Sequence, residues 1–431
     1  MNLRRRLVVT ALAAPALLAG CKVRTINYFP VVAARVRFAN LMLDSGALDV
    51  FEGEAEVWSA IGFEGTTGFL EFDNNEKTFA VRVPDATTDL AATKLTLAGE
   101  QPYTLVAYGT LPSPQVFLAP DPTTAIGSGN FQIRLIDVSS GSTTVDIYIT
   151  RPDVAIDDEV GPNFIGITSG SATVSLRFAA ETLRIRMTPN GSKLVFYDSG
   201  AFAFQPDVSY DFLLYSIGSA GLPQGMLLEV NATEAKLPLA NTLGGVKLVN
   251  GAIDSGETNA FLGDAIVMGN VEYPGYSVYA ALAVGTQSFR FESENAAGTT
   301  IATLQHAPVS AMDSSILLVG FPGAVQAVAF ADDNRISGPG ETRVRFVNGV
   351  SDTASFDVYV GDTRLAQALA PRAASAYSTI VPVSATVTFR DPGSGTTLLT
   401  VDAVPLGEGR TTTVYAVGSA GALKSIVSLD R

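Results

Sequence analysis

Few residues in this 431-residue chain could carry chemistry, and they are scattered. There is one cysteine, Cys21, and one histidine, His306. A protein zinc site needs three or four ligands, so neither can anchor one. A Ser-His-Asp arrangement would have to use His306, in Leu304-Gln305-His306-Ala307-Pro308. The nearest text to a nucleophile elbow, Gly166-Ile167-Thr168-Ser169-Gly170, has threonine at its centre and no strand-to-helix context. His306 therefore reads as a turn residue. Paired carboxylates could hydrolyse a glycoside, but only from opposite sides of the scissile bond. Asp157-Asp158-Glu159, between Pro152 and Pro162, and Asp332-Asp333-Asn334 are sequential neighbours instead. Their spacing fits no EF-hand loop, so both read as solvated loops, with Ca²⁺ the lesser alternative. Phosphate-cradling glycine motifs are absent. Neither a catalytic residue, a metal ligand nor a cofactor-binding residue is predicted.

The amino terminus is more specific. Arg4, Arg5 and Arg6 precede an apolar run, Leu7 to Leu18, too short for a membrane-spanning helix of about 20 residues. Small residues then lead to Cys21. The order is that of a secretory signal, and Leu18-Ala19-Gly20-Cys21 resembles the bacterial lipobox. The resemblance implies cleavage after residue 20 and lipidation of Cys21, with acyl chains such as palmitate anchoring the protein to a membrane. Lys22, in place of an aspartate, favours the outer membrane. Arg5-Arg6 also fits twin-arginine export, with the general secretory route as the default.

Losing the leader removes three arginines and leaves 25 basic against 42 acidic residues, a formal charge of −17. Such a surface repels phosphate backbones, so nucleic acid is excluded as a partner. With 47% hydrophobic and 16% charged residues the chain is suited to packed cores, not disorder. With Cys21 committed to lipid, no disulfide remains, and packing must hold the fold.

One pattern occurs four times. It opens on Arg35-Val36-Arg37-Phe38-Ala39-Asn40, Gln132-Ile133-Arg134-Leu135-Ile136-Asp137, Val246-Lys247-Leu248-Val249-Asn250 and Arg343-Val344-Arg345-Phe346-Val347-Asn348. A second strand follows: Leu48-Asp49-Val50-Phe51, Val145-Asp146-Ile147-Tyr148, Thr258-Asn259-Ala260-Phe261 and Phe356-Asp357-Val358-Tyr359. Alternating strands and Asn/Gly turns such as Pro189-Asn190-Gly191-Ser192 come next. Each copy then closes on a strand ending in glycine: Gly109, Gly218, Gly320 and Gly418. Short strands with almost no helical period predict an all-β protein of tandem antiparallel immunoglobulin-like β-sandwich domains. The expected boundaries are 1–20 for the signal peptide, 21–34 for a lipidated tether, and 35–119, 132–230, 246–330 and 343–431 for four copies. Pro- and Gly-rich linkers between them suggest beads on a string. Alternation assigns Arg37, Arg134 and Arg345 to solvated outward faces, and Trp58 and most tyrosines to the cores.

The Asp-Val-Tyr-like second strand and the closing Tyr103-Thr104-Leu105-Val106-Ala107-Tyr108-Gly109 or Val414-Tyr415-Ala416-Val417-Gly418 resemble the DUF4397 family of bacterial envelope domains. Copies 2 and 3 depart from its pattern, with Asn259-Ala260-Phe261 in place of Asp-Val-Tyr and Ile316 opening a closing strand without tyrosine. The function expected is a non-enzymatic, lipid-anchored spacer or adhesion array in the cell envelope. Its partners would be the membrane and an extracellular polysaccharide or another envelope protein. The alternatives are a carbohydrate-active or metal-assisted hydrolase hidden in a divergent copy, and an outer-membrane β-barrel.

Overall fold

A computed structural model describes residues 32–139, 144–231, 235–296, 298–352 and 355–431. The leader, Cys21 and most of the tether lie outside these residues. The regular elements among them are all strands except one 3₁₀ turn at Glu294–Ala296. In copy 1 the strands are β1 (Ala34–Asn40), β2 (Leu48–Glu52), β3 (Ala55–Ile61), β4 (Leu70–Phe72), β5 (Glu76–Arg82), β6 (Ala91–Thr96), β7 (Pro102–Thr110) and β8 (Ser113–Pro120). They form two open sheets, ordered β4-β1-β7-β8 and β3-β2-β5-β6, and the other copies repeat both. The described residues thus form a series of sandwiches, not one closed barrel.

Each sandwich encloses its own apolar core. Val36, Phe38, Val50, Phe79, Val81 and Leu105 fill that of copy 1. Trp58 packs on its edge, stacked against Phe38 at 6.3 Å. Pairing is mostly antiparallel, but in every copy the opening strand runs parallel to the closing one. The closing strand is not the last, since a hairpin partner follows each: β8, Gln224–Glu229, Gln326–Asp332 and Ala422–Leu429.

The aspartate of the Asp-Val-Tyr motif has a structural job. Register slips by one residue beside Asp49, Asn259 and Asp357, forming a β-bulge. The extra residue opposite takes positive φ: Ala60, Asn270 and Ala368. Its N–H leaves the ladder and donates to the motif side chain, at 2.7, 2.8 and 2.8 Å. Asp146 does the same for Gly166 in copy 2. Replacing Asp49 with alanine strands that amide and should destabilise copy 1 by about 1–3 kcal/mol. Asp49→Asn should be nearly neutral, because Asn259 already fills this role in copy 3. Denaturant titration of both variants decides; equal losses would refute the assignment.

A second device interrupts the edge strand. Thr67, Thr173, Ser277 and Ser375 each accept the N–H of an opening-strand residue through Oγ, at 2.9–3.0 Å. Each also donates its own N–H to the carbonyl of that residue. The edge strand breaks there into short pieces.

Copy 2 departs most. Its closing strand ends at Tyr215, and Ser216 stands where Gly109, Gly320 and Gly418 adopt positive φ. A Cβ at Gly109 would lie 2.5 Å from the Ser113 carbonyl, so the tight hairpin needs glycine there. Copy 2 has instead a longer connection, residues 216–223. The expectation that its strand closes at Gly218 is corrected.

Candidate functional site

The outward faces of the opening and closing strands are covered, and what covers them is another copy. Ala39, Leu41 and Val106 of copy 1 form one cluster with Ile136, Val138, Leu213 and Tyr215 of copy 2. Val249, Leu317 and Val319 of copy 3 do the same with Val347, Tyr415 and Val417 of copy 4. The beads-on-a-string picture is therefore replaced by two sandwich pairs. Each pair is sealed by a seam between like sheets.

At the heart of each seam sit the repeated cations. Arg37, Arg134, Lys247 and Arg345 are 1–4% exposed, so the assignment of the three arginines to solvated faces is overturned. Their registers match: each lies opposite Thr104, Asp211, Ser315 or Thr413 on the parallel closing strand. An acid one residue past the last strand, Asp121 or Asp430, or ending it, Asp332, completes the set. Each cation reaches the acid of the other copy. Arg345 Nη2 meets Asp332 at 2.5 Å, and Lys247 Nζ bonds Asp430. Arg37 Nη2 meets Asp211 at 2.8 Å, and Arg134 Nη2 meets Asp121 at 2.5 Å. This reciprocity is that of an approximate twofold axis.

Copy 2 supplies its carboxylate from a different strand. Val230 occupies the position of the terminal acid, and Asp211 carries the carboxylate on the neighbouring strand instead. Aromatic rings cap the other three cations: Phe69 over Arg37 at 5.0 Å, Tyr279 over Lys247 at 4.9 Å and Tyr377 over Arg345 at 4.7 Å. Each ring follows the edge-breaking hydroxyl by two residues, where copy 2 has Ser175. The electrostatics follow from burial. Desolvation would raise Asp211, but Arg134 and Arg37 overcome it and hold the carboxyl below the usual range. Asp121 is pushed up to about 7 by burial and by Asp211, against the pull of both arginines. Arg345 is raised, its desolvation outweighed by Asp332.

The two pairs also meet. Asp313 of copy 3 accepts from Ser219 Oγ and the Ala220 N–H, both at 2.7 Å, and from Asn334 Nδ2 at 2.8 Å. Arg431 Nη1 donates to the Asn334 carbonyl at 2.9 Å. The long copy 2 connection also accepts the Asn334 N–H at its Gly218 carbonyl, at 2.8 Å, and so docks on the segment expected to be a free linker. Asp332-Asp333-Asn334 is accordingly no solvated loop. Asp332 and Asn334 are buried, and Asp333 is bridged by Arg335 and Arg343, which hold its carboxyl well below the usual range against its own desolvation. Beside this junction lies a cleft of about 710 Å³, lined by Ser139, Phe196, Leu222, Ile336 and Arg431 among others.

The remaining candidates are dispersed. Asp157, Asp158 and Glu159 are exposed. His306 ends a strand, Thr300–His306, and is not in a turn; its Nε2 lies 2.8 Å from Ser314 Oγ. Among the described residues, no three His, Cys, Asp or Glu side chains gather as a metal site would require. Sequence reasoning misses Asp121 and Asp430 and takes Asp332 for a loop residue because all three sit at strand ends, where acids look like turn residues.

No curated protein matches the chain. Among solved structures, a family 26 carbohydrate-binding module from Eubacterium rectale Amy13K, crystallised with maltoheptaose, is 12% identical with a TM-score of 0.16. It aligns over 47% of this chain and 99% of its own. The Bacillus anthracis TIE protein is 10% identical with a TM-score of 0.15, over 66% and 50%. Scores this low carry no argument about ligand or partner. The family model for a domain of unknown function, DUF4397, matches residues 34–148, 244–353 and 343–431, leaving out most of copy 2. Spanning well over half the sequence, those matches place this chain in the DUF4397 family.

Proposed function

We propose that the protein is a non-enzymatic scaffold of the cell envelope. Acylated Cys21 holds it to a membrane, most simply the outer one, and its sandwich pairs present loops at a set distance for an extracellular polysaccharide or another envelope protein. One observation carries the reading: the polar residues that recur in the copies are committed to joining the copies or to shaping their strands. Arg37, Arg134, Lys247 and Arg345 are bonded inside the seams, and the motif aspartates hold bulges. Such a body transmits position, and several presented loops gain avidity without any one strong site.

The test has two arms. Cys21→Ser should move the full-length protein from the membrane fraction to the soluble one, and mass spectrometry of the wild-type amino-terminal peptide should show acyl chains on Cys21. Retention of the variant on the membrane would refute the anchor. Residues 22–431 are then screened on glycan arrays and envelope extracts; saturable capture without turnover supports the scaffold, and glycan cleavage refutes it.

A further inference from the structure

Copies 1 and 2 meet over two carboxylates that share their donors. Thr104 Oγ1 lies 2.8 Å from Asp121 Oδ1 and 3.1 Å from Asp211 Oδ2. Arg134 Nη2 lies 2.5 and 3.0 Å from the same two oxygens. Both acid side chains are fully buried. They are not equally served. Asp211 also takes Arg134 Nε at 2.6 Å and Arg37 Nη2 at 2.8 Å. The second oxygen of Asp121, Oδ2, has no hydrogen-bond partner, and Arg37 Nη2 stays 3.9 Å away from it. The seam of copies 3 and 4 has no such crowding, since Lys247 holds Asp430 and Arg345 holds Asp332.

We propose that the Asp121–Asp211 pair keeps a proton on Asp121 and acts as a pH-dependent latch between copies 1 and 2, closed in mildly acid surroundings and loosened above neutrality. The groups facing Asp121 are Arg37 from β1, Thr104 from β7, Arg134 from Asn130–Asp137 and Asp211 from Ser209–Tyr215, with Phe69 lying over Arg37. Burial and the Asp211 charge raise Asp121 from its ordinary value to about 7. Two carboxylates this close and this dry do not readily ionise together.

The sign follows from linkage. Between about pH 4 and 7 the closed seam holds a proton that an opened, hydrated Asp121 has lost. The stabilisation is therefore complete below pH 4 and is lost as pH rises toward 7. Opening should become more frequent by up to about tenfold per pH unit over that window and level off above it. Asp211 is shifted the other way, so its contribution is already complete at the lower edge of the window.

Hydrogen exchange on the full chain, corrected for intrinsic rates, tests the latch between pH 4.5 and 8. Opening of the strands around Ala39 and Leu213 should rise with pH, while those around Val249 and Val347 stay flat. Asp121→Asn should abolish the slope. An unchanged slope in that variant, or an equal slope in the other seam, overturns the proposal. Should Asp121→Asn not fold, infrared titration of the wild type beside Asp137→Asn and Asp313→Asn, whose carboxyls burial also raises, decides. A protonated buried carboxyl band lost near neutrality supports the latch, and its absence at pH 5 refutes it.

Discussion

Asp211→Ala should destabilise copies 1 and 2 by about 3–5 kcal/mol, the range for breaking a buried ion pair by removing one partner. The loss is not that of a surface salt bridge, which contributes about 0–1 kcal/mol. Asp211 bonds both Arg134 and Arg37, and all three are almost wholly out of water. Without it two guanidiniums remain buried with only Asp121 between them. Denaturant unfolding checks the effect, since a chain of this size unfolds in more than one step and each transition can be followed separately. Loss of under 1 kcal/mol would mean that water reaches the seam and that the copies are only loosely apposed. Arg151→Ala, which removes an exposed pair with Glu181, is the matched control.

The second large effect should come from Phe131→Ala. Phe131 stacks on Phe204 with ring centroids 4.3 Å apart, and meets Phe178 and Tyr210 at 5.6 and 6.0 Å. Removing a buried phenylalanine ring at such a centre typically costs about 3–5 kcal/mol. The position lies wholly within copy 2, which allows a test of coupling. Trp58, the only tryptophan, sits in copy 1 and reports that copy by fluorescence, whereas circular dichroism reports every strand. If the seam joins copies 1 and 2 into one cooperative unit, the Trp58 transition should move with the mutation. A Trp58 midpoint unchanged in Phe131→Ala would show the copies unfolding independently.

The sandwich fold was legible in the sequence because it depends on local signals. Strands near Val50, Ile147, Phe291 and Phe389 alternate cleanly, and Asn190-Gly191 marks a turn whose amides bond Asp146. Pairing of the copies leaves a subtler signal. Leu105-Val106-Ala107, Leu213-Leu214-Tyr215 and Leu317-Leu318-Val319 are unbroken apolar runs, the mark of a strand covered on both faces. Beside such runs an alternating arginine cannot face water, so a one-sided rule applied to a two-sided strand misplaces Arg37, Arg134 and Arg345. The identity of the counter-ions was harder to foresee. Asp121, Asp332 and Asp430 lie 84 to 85 residues from Arg37, Lys247 and Arg345 within their own copies, and act on the other copy. That pairing is a property of the assembled seam, with no trace in local spacing.

The hydroxyls of Thr67, Thr173, Ser277 and Ser375 have a consequence for behaviour at high concentration. An open sheet ends in a row of unmet amides and carbonyls that can recruit a stranger's strand. Here the rim is cut midway in all four sandwiches, because the hydroxyl residue fills both backbone valences of the strand behind it. Any strand approaching that rim finds only short, offset stubs. Crowded molecules of this kind are thereby guarded against growing into fibrils from this edge.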